Sequence, residues 1–522
     1  MQAISFRAVL LLFFVSTFIS TTKAQGISDA QLDSLVEKTM TTFNVPGIAV
    51  AVLKDGKIVH MKGYGVRSLE KGGEVNENTL FGVASNTKAF TSAALGKLID
   101  QGKISWDTKV TEIIPEFKLY DPYVTSEFTI RDLLTHRSGL GLGAGDLMVF
   151  PAANKTNMEE LIYNLRFLKP VSSFRSKFDY DNLLYIVAGE IVERVAGEDY
   201  EEFIRENILE PLHMDRTAMS WHRIDDYSNV IEGHAPVDGK LVTVGLSFTK
   251  VANPAAGIYS SVNDMSKWVQ AQLNHGKYGE DLQKRLFSEE VHEEMWTPQT
   301  ILRTGSGDYN THFKAYGLGW FLSDVNGYKE VTHTGGLLGI VSQVTMIPEL
   351  DLGIIVLTNQ QSGAAFRSIT NTIKDSYFGI EGENRIKQYN NTRIKSEKEA
   401  DSVVAQIWKE VAAVQKSKSL KPGSISRYTG TYQDPWFGKV KISEKGGKLF
   451  FEAENAPDFK GEMSFYKGNA FVVKWNARGL NADAFVIFSL NKEAEAKGFS
   501  MEPVSPMTDF SYDYQDLNFT RI

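Results

Sequence analysis

Six serines in this chain are followed three positions later by a lysine: Ser20, Ser68, Ser85, Ser247, Ser464 and Ser489. A serine hydroxyl is a useful nucleophile only beside a base, and a lysine is a base only when desolvation lowers its pKa. Spacing alone selects none of the six; their surroundings do. Ser20 lies in an apolar N-terminal stretch, Ser464 and Ser489 lie in a strand-rich C-terminal region, and Ser68 precedes a Gly-Gly turn. Ser85-Asn86-Thr87-Lys88 instead opens a long amphipathic pattern that predicts a helix from Lys88 to Gln101, ended by Gly102. Positions i and i+3 share a helix face, so Lys88 reaches back to Ser85. The helix start surrounds Ser85 with unpaired N–H groups and partial positive charge, which suits an alkoxide and the oxyanion that follows it. Ala89, Phe90 and Phe81 are the apolar neighbours that would desolvate Lys88.

Two further segments bear on this pair. Phe178-Asp179-Tyr180-Asp181-Asn182 directly precedes a helical pattern. Read structurally, Asn182 is an N-cap and Tyr180 a core ring. Read chemically, Tyr180 is a proton shuttle and Asn182 a donor to Lys88 and substrate. Val331-Thr332-His333-Thr334-Gly335-Gly336 is either a Gly-rich turn with a surface histidine or a strand lining a cleft. In the second case the glycine pair admits a substrate backbone, and the Gly336 N–H joins that of Ser85 as an oxyanion donor.

These groups need a scaffold. Ser28 to Phe43, Asn182 to Val195 and roughly 365–377 have helical spacing. Gly47 to Leu53 pairs with Ile58 to Gly63 around Lys54-Asp55-Gly56, and Gly339 to Ile347 pairs with Gly353 to Thr358. Strands at both ends with helices between predict an α+β fold: an antiparallel sheet flanked by helices, closed by its termini, with a helical insert. Past residue 380 the character changes. Lys395 to Lys418 reads as a linker helix with a stripe of Val403, Val404, Ile407, Trp408, Val411 and Val414 docked on something apolar. Lys421-Pro422-Gly423 breaks it, and alternating residues such as Val440/Ile442, Leu449/Phe451, Phe471/Val473/Trp475 and Phe485/Ile487 predict a small all-β, barrel-like domain. The expected organisation is a signal peptide over 1–24, a catalytic domain over 25–380, a linker helix over 381–420 and a β domain over 421–522.

Composition narrows the function. The chain has 522 residues, 42% apolar and 23% charged, with 56 basic and 64 acidic residues and no cysteine. A thiol nucleophile, a disulfide scaffold and Cys-type metal sites are excluded. No long basic run is present, which argues against nucleic-acid binding. No H-E-x-x-H, Walker loop or G-x-S-x-G occurs, so no metal or other cofactor is expected. Arg7, the apolar run from Ala8 to Ile19 and Thr22-Lys23-Ala24 form a secretory signal pattern cleaved before Gln25. The run is short of the ~20 residues that span a bilayer. The mature chain is expected to be periplasmic or secreted, without membrane insertion.

The residues resemble the serine β-lactamase/penicillin-binding superfamily, in its class C and D,D-peptidase-like branch. Ser85-x-x-Lys88, Tyr180-x-Asn182 and His333-Thr334-Gly335 stand in that family's order. The run Thr129-Ile130-Arg131-Asp132-Leu133-Leu134-Thr135-His136-Arg137-Ser138-Gly139-Leu140 resembles the loop before its tyrosine motif. Pro211-Leu212-His213-Met214 and Ala256-Gly257-Ile258-Tyr259-Ser260 are similar to further family segments. The likeness covers roughly 28–380. It implies Ser85 as the acylated nucleophile, Lys88 and Tyr180 sharing the base role, and an oxyanion hole from the N–H groups of Ser85 and Gly336. His333 departs from the lysine of class C β-lactamases, which weakens the case for a β-lactam substrate. The last hundred residues resemble a lipocalin-like domain appended to some of these hydrolases. The expectation is an exported serine hydrolase acting through an acyl-enzyme on a small-molecule or peptide substrate, with D-residue peptides or simple esters foremost. A class C-like β-lactamase and a non-catalytic receptor for penicillin or peptidoglycan fragments are the alternatives; the oligomeric state is left open.

Overall fold

The computed structural model describes residues 26–151, 154–237, 239–245, 249–305, 307–416 and 424–522. The expected signal segment, Ser247 and the Lys421-Pro422-Gly423 break lie outside them.

Strand β1 (Gly47–Lys54) turns into β2 (Lys57–Ser68) through Asp55 and Gly56 at φ 50° and 69°. Two successive positive φ angles give the turn the twist that antiparallel strands need. With β3 (Gly72–Glu74), β4 (Thr300–Leu302), β5 (Lys314–Tyr316), β6 (Phe321–Val325), β7 (Tyr328–Leu337), β8 (Ile340–Ile347) and β9 (Leu352–Thr358), they form one nine-stranded sheet in the order β4-β5-β6-β7-β8-β9-β1-β2-β3. Every pairing in it is antiparallel. The sheet is closed by its termini, as the pattern predicts: β1 lies against β9, with Ile48 opposite Thr358. Just beyond that pair, the Gly47 N–H donates to Asn359 Oδ1 at 2.7 Å across 312 residues of chain.

Both faces of the central strands are covered, so β1 is apolar throughout rather than alternating. Ile48, Val50, Val52, Ile354 and Val356 meet Leu32 and Val36 of α1 (Asp29–Phe43) and Ile369 of the 363–378 helix. Ala49, Ala51, Leu53, Ile355 and Leu357 face the helical insert. That insert holds α2 (Thr87–Asp100), α3 (Asn182–Ala196) and α4 (Val262–Leu273). Phe90 of α2 stacks on Trp268 of α4, ring centroids 4.1 Å apart. Helix α2 is not amphipathic as expected: all of residues 87–96 are buried, because it runs through the core.

After α5 (Gly363–Phe378) comes α6 (Arg385–Lys416), which starts ten residues earlier than the charge pattern indicates. Arg385 anchors its first turn, with Nε 2.7 Å from Asp375 Oδ2. Residues 430–521 form a closed eight-stranded barrel whose first and last strands pair, Tyr432 opposite Arg521. Its interior is packed with rings, among them Phe499 on Phe519 (4.3 Å), Tyr428 against Phe488 (4.8 Å) and Phe451 against Trp475 (5.1 Å). On the strand that carries Phe485 and Ile487, the buried positions are the alternate ones, Ala484, Val486 and Phe488. Phe485 points outward because α6 covers that wall, where it joins Val472, Val411, Trp408 and Val504.

Candidate active site

The nucleophile candidate sits on a strained turn. Val83 donates to the Ile258 carbonyl at 2.9 Å, and Ala84 adopts φ +50°, a left-handed conformation that non-glycine residues rarely adopt. A short 3-10 turn, Ala84–Asn86, then leads into α2. Between Phe81 and Gly96, Ser85 is the only residue that is not buried. The turn therefore exposes one side chain of an otherwise enclosed segment. Asn86 fastens it to the sheet by donating to Ser342 Oγ at 2.9 Å, and Ser342 in turn donates to the Val83 carbonyl at 2.7 Å.

Lys88 is fully buried. Its Nζ lies 3.2 Å from Ser85 Oγ, 2.7 Å from Asn182 Oδ1 and 3.1 Å from the Ala255 carbonyl. An ammonium has three protons for these three acceptors. A neutral amine has two, and its lone pair then faces the serine hydroxyl. Burial pulls the Lys88 pKa down to about 7, against the opposing charges of Asp146 and Asp181.

Helix α3 is capped by Asp181, not Asn182: Asp181 Oδ1 accepts the Leu184 N–H at 3.3 Å. This correction matters chemically, because it frees the Asn182 side chain to reach inward. Its Oδ1 meets Lys88, and its Nδ2 donates to Asp146 Oδ2 at 2.8 Å. Tyr180 packs beside them, its ring centroid 4.8 Å from Lys88 Nζ. Its hydroxyl is buried and faces that of Ser85. Burial pushes its pKa well above 10, more than the nearby Ser85 hydroxyl lowers it, so Tyr180 is a neutral phenol.

His136 holds the Tyr180 segment. Its Nδ1 accepts the Asp181 N–H at 3.0 Å, its carbonyl accepts the Asp179 N–H at 2.9 Å, and its ring lies 4.1 Å from that of Tyr180. Burial holds it neutral.

His333 is on β7, a strand and not a turn, and is buried. Its Nδ1 donates to the Thr334 carbonyl at 2.7 Å, so Nε2 accepts from the Tyr316 hydroxyl at 3.1 Å. Burial, then the charge on Lys88, lowers its pKa to about 3. Both nitrogens are occupied within the protein.

The glycine pair divides its work. A Cβ on Gly335 would stand 2.1 Å from the Val83 carbonyl oxygen and 2.9 Å from Ala84 Cβ, so this glycine lets the nucleophile turn approach the strand. A Cβ on Gly336 would meet open space. Thr334 and Gly336 alternate to the exposed side of the strand, away from His333 and Gly335. Strand β6 accompanies β7 only as far as Thr332, so 333–337 have no strand on that side among the described residues. Ser85, Lys88, Tyr180, Asn182 and His333 thus converge, Gly335 abuts the turn, and Thr334 and Gly336 line an open edge.

Sequence reasoning missed Asp146, Tyr316 and the role of His136, although His136 stands in a quoted segment. It also missed the barrel's contribution. Ser511 donates to Asp146 at 2.8 Å, and the ring of Phe510 meets that of Tyr180 edge-on at 5.9 Å.

The sheet, the insert and this convergence define a serine-hydrolase fold of one kind. The β-lactamase family profile matches residues 32–377, and the chain belongs to that family of serine hydrolases. A domain family of unknown function, DUF3471, matches residues 414–521. The chain is 28% identical to "Unguisins hydrolase ungD" of Aspergillus violaceofuscus over 382 residues, 68% of this chain and 66% of that protein. It is 28% identical to "Protein flp" of Staphylococcus aureus over 347 residues, 65% of each chain. The match thus spans slightly less than two thirds of either relative. The octameric penicillin-binding protein homologue from Pyrococcus abyssi has the same fold, with TM-score 0.59, 21% identity, and coverage of 95% of this chain and 100% of that one. A class C β-lactamase superposes with TM-score 0.54 and 21% identity over 68% of this chain and 96% of its own.

Proposed function

We propose that the protein is an exported hydrolase that cleaves amide or ester bonds through an acyl-enzyme on Ser85, acting on D-residue peptides or simple esters. The observation that carries this reading is the buried Lys88 amine 3.2 Å from Ser85 Oγ, with its pKa lowered to about 7. Neutral Lys88 takes the hydroxyl proton as Oγ attacks the substrate carbonyl. The N–H groups of Ser85 and Gly336 stabilise the oxyanion. The neutral phenol of Tyr180 gives its proton to the departing amine or alkoxide and recovers one from Lys88. Water then releases the acyl group by the same steps in reverse order. The open edge at 333–337 supports pairing with an extended substrate. A neutral His333 with both nitrogens engaged supports uncharged substrates over β-lactam carboxylates. Export rests on the N-terminal sequence pattern, and a secreted chain that begins at Gln25 tests it.

The deciding experiment combines labelling with turnover. The purified protein is treated with a fluorophosphonate and mapped by mass spectrometry, then assayed on p-nitrophenyl esters, D-Ala-D-Ala peptides, D-aminoacyl anilides and nitrocefin. The adduct is expected on Ser85, with turnover of esters or D-aminoacyl substrates and little of nitrocefin. An adduct on another serine, or full activity in Ser85→Ala, overturns the mechanism.

A further inference from the structure

We propose that the loop between the last two barrel strands is a built part of the catalytic site, in which Ser511 and Asp513 are positioning residues for Asp146 and, through it, for Asn182 and Lys88. The proposal rests on the reading of Lys88 as the base. Four hydrogen bonds carry it. Ser511 Oγ donates to Asp146 Oδ2 at 2.8 Å, and the same oxygen accepts Asn182 Nδ2 at 2.8 Å. Asp513 Oδ2 accepts the Gly145 N–H at 2.6 Å, and its Oδ1 accepts the Leu147 N–H at 3.3 Å. These are the two residues flanking Asp146, so the barrel grips the backbone on both sides of it. Phe510 then closes over Gly143, where a Cβ would stand 2.7 Å from the Phe510 carbonyl oxygen.

The chemistry follows from donors and acceptors. Asp146 Oδ2 accepts two donors, Ser511 Oγ and Asn182 Nδ2. Asp146 therefore obliges Asn182 to turn its NH2 outward, which leaves Oδ1 for Lys88. Asp146, Asp513 and Asn182 are all buried, and buried polar groups need hydrogen-bond partners. Asp146 Oδ1 has no partner among the described residues, so Asn182 and Ser511 are its side-chain donors. Ser511 is the one that the barrel contributes. If it is lost, Asp146 is held less firmly and Asn182 is free to flip. Lys88 then loses an acceptor.

The test compares Ser511→Thr and Ser511→Val in the full-length protein, near-isosteric changes that keep or remove the hydroxyl. The pH profile of kcat/KM on a neutral p-nitrophenyl ester is read alongside Ser85 labelling by a fluorophosphonate. Ser511→Thr is expected to keep the wild-type profile. Ser511→Val is expected to lose about tenfold in kcat with little change in KM. Its acid limb should move to lower pH, because a flipped Asn182 turns its NH2 rather than its Oδ1 toward Lys88, which disfavours the ammonium. Asp513→Asn, which keeps its size, should lower kcat in the same way and serves if the valine variant does not fold. Identical profiles for the threonine and valine variants overturn the proposal while wild-type labelling of Ser85 leaves the hydrolase reading intact. A wild type that neither labels at Ser85 nor turns over esters overturns both.

Discussion

The ε-amine of Lys88 lies 2.7 Å from Oδ1 of Asn182, a residue 94 positions along the chain. An amide oxygen holds a lysine in place without adding the negative charge that would keep it protonated. The charges that would do so stand on Asp146 and Asp181, and burial pushes their own pKa values up to about 8 and about 7. The amine is thereby poised near neutrality.

The first prediction concerns that poise. Because the base works when deprotonated, kcat/KM should rise with pH through about 7, the value to which burial lowers Lys88. Asn182→Asp sets a carboxylate directly on the amine, raises its pKa, and should move the acid limb to higher pH. A pH–rate profile of the two proteins between pH 5 and 9 checks this; an unmoved limb assigns the titration to another group.

Lys88→Ala should lower kcat by ~10²–10⁴-fold. Lys88→Arg should do no better, since a guanidinium keeps its proton. Tyr180→Phe combined with Lys88→Ala should cost little more than the worse single change, because both serve one proton relay. Multiplicative losses in steady-state kinetics would instead show independent roles.

His333 should not titrate across the working range, because its pKa is lowered to about 3. The ratio of kcat/KM for a carboxylate substrate to that for its methyl ester should therefore be flat from pH 5.5 to 9. His333→Lys should raise that ratio, chiefly through KM. A second ammonium near Lys88 also disfavours its protonation, so the acid limb should shift down.

Gly335→Ala should slow acylation and cost about 1–3 kcal/mol of stability, since its Cβ would meet the Val83 carbonyl and Ala84. Gly336→Ala should leave the melting temperature unchanged, because that Cβ faces open space. Thermal unfolding and the rate of fluorophosphonate labelling separate the two glycines.

Acid stability follows from the buried imidazoles. His333 and His292 have folded pKa values lowered to about 3, below the unfolded value near 6.5. Between those limits the unfolded chain binds the extra protons, so stability is fully present above about pH 6.5 and is lost as pH falls toward 3. The slope approaches roughly 1.4 kcal/mol per pH unit for each histidine. Denaturant unfolding at pH 7, 6 and 5 should show it, and His292→Gln should flatten it.

What the sequence makes legible is mostly local. Ser85 and Lys88 are three residues apart, and their contact follows from helix geometry. The closing of the sheet follows from where the apolar strands fall. The cap is ambiguous in the sequence, because two adjacent residues, Asp181 and Asn182, both suit that position, and the structure gives it to Asp181. Asp146, Ser511 and Asp513 were invisible because their contacts span more than 300 residues. The burial of His333 depends on Tyr316 from another strand, and the strain at Ala84 has no signature in its residue type.

The bond from Gly47 to Asn359 has a consequence for how the chain folds. Closing a flexible loop of 312 residues costs roughly 5 kcal/mol of chain entropy beyond a constant. The central strand β1 cannot pair with β9 until synthesis has passed residue 358. Until then the edge of β1 opposite β2 has no strand to pair with. Native contacts of such long sequence separation slow folding, and the unpaired edge of β1 is the place where a wrong strand could add first.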